Sequence, residues 1–144
     1  MKTKLSKLLT LLVLTIVVAS PAAFAASFTT YIDGVSPITC KKGDNVDVTA
    51  QLWCKNYIDG LWDNKVEYED LHFYLYSLNN GDQYKKVFEK TVETSFMSGK
   101  ATVNIDTKNI DPGDYLLKVE FEGDYGLFID FKPSKIEKNV TITQ

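Results

Sequence analysis

From Gly99 to Asp124 the chain carries two runs in which apolar residues recur at every second position, joined by an Asp111-Pro112-Gly113 corner. Ala101, Val103 and Ile105 alternate with Thr102 and Asn104. Tyr115, Leu117, Val119 and Phe121 alternate with Leu116, Lys118 and Glu120. Successive side chains of a strand point to opposite faces, so this period puts one face in a core and the other in water. An α-helix cannot sort these residues onto one side.

The same pattern recurs. Val46, Val48, Ala50 and Leu52 alternate with Asp47, Thr49 and Gln51 between Asn45 and Trp53. Leu71, Phe73 and Leu75 alternate with His72, Tyr74 and Tyr76, and Val140 and Ile142 repeat it near the C-terminus. Turn residues separate the runs: Lys42-Gly43-Asp44, Asn79-Asn80-Gly81, Ser98-Gly99 and Gly123-Asp124. No segment after residue 25 keeps a helical period. The expected fold is all-β, an antiparallel sandwich of about seven or eight strands in Greek-key order. Tyr115, just past Pro112 and Gly113, is placed as a tyrosine corner, whose hydroxyl bonds backbone a few residues upstream.

The N-terminal segment reads as an export signal. Lys2, Lys4 and Lys7 precede a charge-free, largely apolar run from Leu8 to Ala19, and Ala23-Phe24-Ala25 offers small residues for cleavage. The run is too short to cross a bilayer of about 30 Å. Cleavage after Ala25 is expected, leaving residues 26–144 as a single domain, secreted or held at the cell surface without membrane insertion. A chain of this size buries about two thirds of its unfolded surface and needs no covalent staple.

Charge excludes some partners. Without the three leader lysines, 13 positive side chains face 19 negative ones, a net charge of −6, and every cation is Lys. With no basic patch and no Arg to read bases, nucleic acid is not an expected partner. The two cysteines, Cys40 and Cys54, flank a turn and a strand of roughly eight residues, which holds them more than about 20 Å apart. A disulfide needs Cα atoms within about 7 Å. Free thiols, or a bond to another chain, are expected over an intramolecular bridge.

Little in the chain points to catalysis. His72, the only histidine, faces away from the core by strand parity and has no nucleophile or metal-spaced partner. Asp59, Asp63, Asp124 and Asp130 are numerous enough to suggest calcium or a glycosidase pair, yet no spacing selects two of them. The expectation is solvated acids, no cofactor and no enzyme. Asn139-Val140-Thr141 is a glycosylation sequon inside a strand pattern, and is expected to be unused.

Two segments interrupt the alternation. Residues 55–70 hold Tyr57, Ile58, Leu61, Trp62, Val66 and Tyr68; residues 125–133 hold Tyr125, Leu127, Phe128, Ile129 and Phe131. Both read as loops at one end of a sandwich, and should be neighbours. Tyr57, Trp62, Tyr125, Phe128 and Phe131 are the candidate ligand-binding residues. Trp53 belongs to the same aromatic excess, which either caps the sandwich or forms an exposed patch.

Taken in order, Lys42-Gly43-Asp44-x-Val46-x-Val48-Thr49-Ala50-Gln51-Leu52, Phe73-x-Leu75, Gly99-x-Ala101-Thr102-Val103-x-Ile105, Ile110-Asp111-Pro112-Gly113-x-Tyr115-x-Leu117-x-Val119-x-Phe121-x-Gly123-Asp124, Pro133-Ser134 and Val140-Thr141-Ile142 resemble the Ig-like domains of prokaryotic surface proteins. The resemblance is to the invasin/intimin type and to archaeal adhesin-like repeats, over roughly residues 41–142. It implies an adhesin-like module that binds a surface protein or polysaccharide, or alternatively a non-catalytic structural subunit of a surface assembly, with oligomers possible. The chain departs from those relatives in its long aromatic 55–70 segment and in standing as a single domain rather than an array.

Overall fold

Alternation becomes sheet wherever two runs can share hydrogen bonds and bury the same face. A computed structural model describes residues 26–58, 60–78 and 84–144. The expected export signal, Asp59 and the Asn79-Asn80-Gly81 turn lie outside the described residues. Twelve strands follow in chain order: β1 (Ala26–Phe28), β2 (Thr30–Asp33), β3 (Ile38–Lys41), β4 (Asn45–Ile58), β5 (Trp62–Lys65), β6 (Asp70–Ser77), β7 (Lys85–Glu93), β8 (Lys100–Asp106), β9 (Gly113–Phe121), β10 (Asp124–Tyr125), β11 (Ile129–Phe131) and β12 (Ser134–Thr143). A single 3-10 turn, Thr107–Asn109, is the only helical element among the described residues.

The fold is an all-β sandwich. One sheet runs β3-β12-β9-β6-β7; the other runs β2-β4-β5, with β8 also paired to β4. Neighbours are antiparallel except β3, which lies parallel to β12. The inward faces are the ones the alternation marks. Leu52, Phe73, Leu75, Val103, Leu117 and Val119 are fully buried between the sheets, and their neighbours in sequence face outward. Burial of this apolar area, at about 25 cal/mol per Å², is the main term holding the sheets together.

The Tyr115 hydroxyl donates to the Asp111 carbonyl across the Pro112-Gly113 corner, and the ring is buried, as a tyrosine corner requires. Cys40 lies in the five-stranded sheet opposite Ile142, Cys54 lies in the other sheet opposite Thr30, and both are free thiols. Asn139 is exposed on β12 yet paired through its backbone to Leu116.

The strand count exceeds the expected seven or eight, for two physical reasons. First, β2, β3 and β7 carry little apolar signal of their own. β7 reads Lys-Lys-Val-Phe-Glu-Lys-Thr-Val-Glu and contributes no fully buried residue. It is an edge strand, formed by pairing with β6, and its charges guard the open edge. Second, neither interrupting segment is a plain loop. β4 continues four residues past Cys54 and turns back as β5, and the 125–133 segment supplies β11. There β11 joins β10 and the N-terminal strand β1 in a separate three-stranded sheet, β1 and β11 running parallel.

Candidate functional site: two hairpins at the N-terminal end

The two irregular segments meet because the N-terminal strand ties them together. β2 pairs antiparallel with β4, Thr30 opposite Cys54, and the Lys55 N–H donates to the Thr29 carbonyl at 2.9 Å. Residues 26–28 therefore run alongside the far end of β4 while also pairing with 129–131 of β11. The Phe28 ring sits 5.0 Å from that of Tyr57 and 6.3 Å from that of Phe131, and Tyr57 and Phe131 are themselves 6.4 Å apart. Three half-buried rings thus join three stretches of chain.

Each hairpin is held locally. Asp63 accepts from the Tyr31 hydroxyl and the Asn56 N–H, both at 3.0 Å, which clamps β5 back onto β4. That accounts for one of the four candidate acids as a structural clamp. Asn56 turns with φ 53°, a left-handed value that Asn tolerates better than most residues. At the other hairpin, Gly123 has φ 91°, and a Cβ there would stand 2.8 Å from the Phe131 carbonyl oxygen. Only glycine lets β10 and β11 close on each other. Gly126 N–H bonds the Ile129 carbonyl, and the Ala26 N–H bonds that of Phe128, both at 3.0 Å.

The tips of these hairpins are apolar and bare. Leu61 and Trp62 are 73% and 68% exposed; Tyr125, Leu127 and Phe128 are 72%, 84% and 72% exposed. The five candidate ligand residues therefore divide. Tyr57 and Phe131 are half-buried and packed together, whereas Trp62, Tyr125 and Phe128 stand in solvent. Trp53 belongs to neither group: it stacks on Tyr31 at 6.3 Å on the outer sheet face, with the Lys65 ammonium 5.9 Å over its ring.

Between the hairpins lies a pocket of about 320 Å³. Cys54, Val66, Tyr57 and Phe131 give it apolar walls; Asn64, Lys65, Glu67 and Tyr68 give it polar ones. Tyr68 has φ 60°, an uncommon conformation for a bulky residue. It is held there by Thr94, which is fully buried: Thr94 accepts the Tyr68 N–H at its carbonyl, 2.9 Å, and the Glu69 N–H at its hydroxyl, 3.0 Å. Sequence reasoning did not single out Asn64, Glu67 or Tyr68 as site residues. The Trp-Asp-Asn-Lys run of β5 shows no regular alternation, and the clue was only its place inside the aromatic segment.

A second, polar recess opens beyond Tyr68, where Glu69, Asp70, Glu93, Glu122 and Asp124 gather. Burial, with Asp124, Asp70 and Glu93 nearby, pushes the Glu69 carboxyl up to about 7. His72 borders this recess on the outer sheet face, where its Nδ1 and the Thr91 hydroxyl are 2.8 Å apart. Among the described residues no group of three or more His, Cys, Asp or Glu side chains is disposed to hold a metal ion. No helix of the described residues is long and apolar enough to cross a membrane. The sequence matches no protein-family model and no curated protein.

Proposed function

We propose that the protein is a secreted, adhesin-like recognition module of Ig-like type, which binds a surface protein or polysaccharide through the end built from residues 55–70 and 125–133. The observation that carries the reading is the exposure of Leu61, Trp62, Tyr125, Leu127 and Phe128 on two adjoining hairpins, while the core is closed without them. Large apolar side chains left in water on one contiguous end are what a partner buries on binding, and aromatic anchors of this kind supply most of the affinity in typical interfaces. The sandwich order, the parallel β3–β12 pair and the Tyr115 corner support the Ig-like part. No catalytic role is assigned. The lone histidine is paired with Thr91 on a sheet face.

The test is binding of labelled protein (residues 26–144) to intact cells that produce it and to polysaccharide extracted from their envelope. Saturable binding, lost in Trp62→Ala/Phe128→Ala with the fold unchanged by circular dichroism, is the expected result. Equal binding by the double variant would remove this end as the site. Concentration-dependent oligomers with no binding would favour a structural subunit instead.

A further inference from the structure

We propose that the pocket between the two hairpins receives one neutral pyranose unit of a polysaccharide. This rests on the reading of that end as a recognition surface and narrows its ligand. A pyranose presents an apolar C–H face and a rim of hydroxyls, each of which both donates and accepts. A site for it needs aromatic rings against the face and polar side chains around the rim.

The pocket has both halves. The Tyr57 and Phe131 rings, inclined by 32° to each other, are backed by Phe28, so their positions are fixed before anything binds. Cys54 and Val66 are buried beside them and keep water from behind the rings. Asn64, paired with Cys54 across the β4–β5 ladder, and Glu67 also line the pocket, and both are half-buried. Neither side chain makes a hydrogen bond or ion pair within the molecule among the described residues, whereas the neighbouring lysine is engaged. The Lys65 ammonium donates to the Met97 carbonyl at 3.4 Å and lies over Trp53. An amide supplies two donors and an acceptor, and a carboxylate accepts twice, which is the complement that vicinal hydroxyls require.

Size and charge narrow the ligand further. At about 320 Å³ the pocket is at the small end of ligand sites, which run from about 300 to 1,000 Å³, so it fits one ring and not an oligosaccharide. Glu67 repels acidic sugars, and the only cation on the wall is engaged elsewhere. Tyr68, turned outward by its left-handed backbone and stacked on Phe96 at 6.0 Å, is placed at the rim, where the next unit of a chain would emerge.

The experiment is saturation-transfer NMR on the protein with a panel of methyl glycosides of neutral hexopyranoses, at about 10 mM to reach weak single-unit affinities. At least one glycoside should receive saturation, strongest on the C–H protons of one ring face. Asn64→Ala and Glu67→Gln should each weaken it by about tenfold or more, while Trp53→Phe, outside the pocket, leaves it unchanged. One-dimensional spectra of each variant verify the fold. Choline chloride is run beside the sugars, because rings next to a carboxylate also suit a quaternary ammonium. Saturation of choline alone, of no probe at all, or of a sugar indifferent to Asn64 and Glu67, would each overturn the proposal. If the sugars fail while cell binding still depends on Trp62 and Phe128, only the saccharide assignment falls; if both fail, the recognition reading falls with it.

Discussion

The Tyr57 ring lies 6.4 Å from that of Phe131, joining the far end of β4 to a strand laid down near the C-terminus. Phe28 packs against both, so the N-terminal strand acts as the bridge. The contact makes one surface of two hairpins that share no sheet ladder, and it separates rings that support the surface from rings that remain free.

That separation sets the first expectation. Trp62 and Phe128 are exposed, so replacing both by Ala should shift folding stability by less than about 1 kcal/mol, as surface changes do. Tyr57→Ala, by contrast, opens a gap among packed rings and should cost more. Urea unfolding of the two variants measures the difference. A double variant less stable than Tyr57→Ala would show that the tips are part of the core.

The tyrosine corner gives a second expectation. Tyr115→Phe removes the bond to the Asp111 carbonyl and should destabilise by about 1 kcal/mol or more. Leu117→Ala leaves a cavity at a fully buried position and should cost about 2–5 kcal/mol. Leu116, half-buried on the opposite face, is the control, and its Ala variant should fall clearly below Leu117→Ala. Chemical denaturation that ranks them the other way would contradict the face assignment.

Glu69 should leave a mark on the pH dependence of stability. Its carboxyl is held at about 7 in the fold, against 4.5 for an ordinary Glu, first through burial and then through Asp124, Asp70 and Glu93. The folded state therefore favours the neutral acid more than the unfolded chain does. The stability this group contributes is full below pH 4.5 and is lost as pH rises through about 7. Glu69→Gln should flatten the fall in denaturation midpoint across that window. An identical pH profile for wild type and variant would show that the carboxyl is not perturbed.

The thiols should differ in reactivity. Cys54 is 1% exposed, and burial, with Asp63 nearby, pushes its thiol up to about 11. Cys40 is half-buried on a short edge strand, where partial burial and then Asp44 also raise its thiol. Since the thiolate is the reactive form, a thiol reagent should label Cys40 first and Cys54 only on unfolding. Mass spectrometry without reductant counts the labels. Failure of both sites to label after unfolding would mean that they are bonded.

The sequence alone determined the core strands. Along β4, β6, β8, β9 and the end of β12 the apolar residues recur at every second position, and that period is local information that picks the inward face even where an outward position holds Trp53, Tyr74 or Leu116. The Pro112-Gly113-x-Tyr115 corner was legible for the same reason: its hydrogen bond spans four residues. Residues 55–70 and 125–133 were marked only as aromatic interruptions. Tertiary structure decided that they are hairpins, because β5 and β11 gain their hydrogen bonds from β4, β1 and β10 rather than from any apolar period of their own. It also decided which rings are free. Tyr57 and Trp62 look alike in sequence, and only the arrival of Phe28 and Phe131 buries one and leaves the other in water. The pocket walls at Asn64 and Glu67 were illegible for the same reason, since a polar residue becomes part of a site only when distant chain closes the space around it.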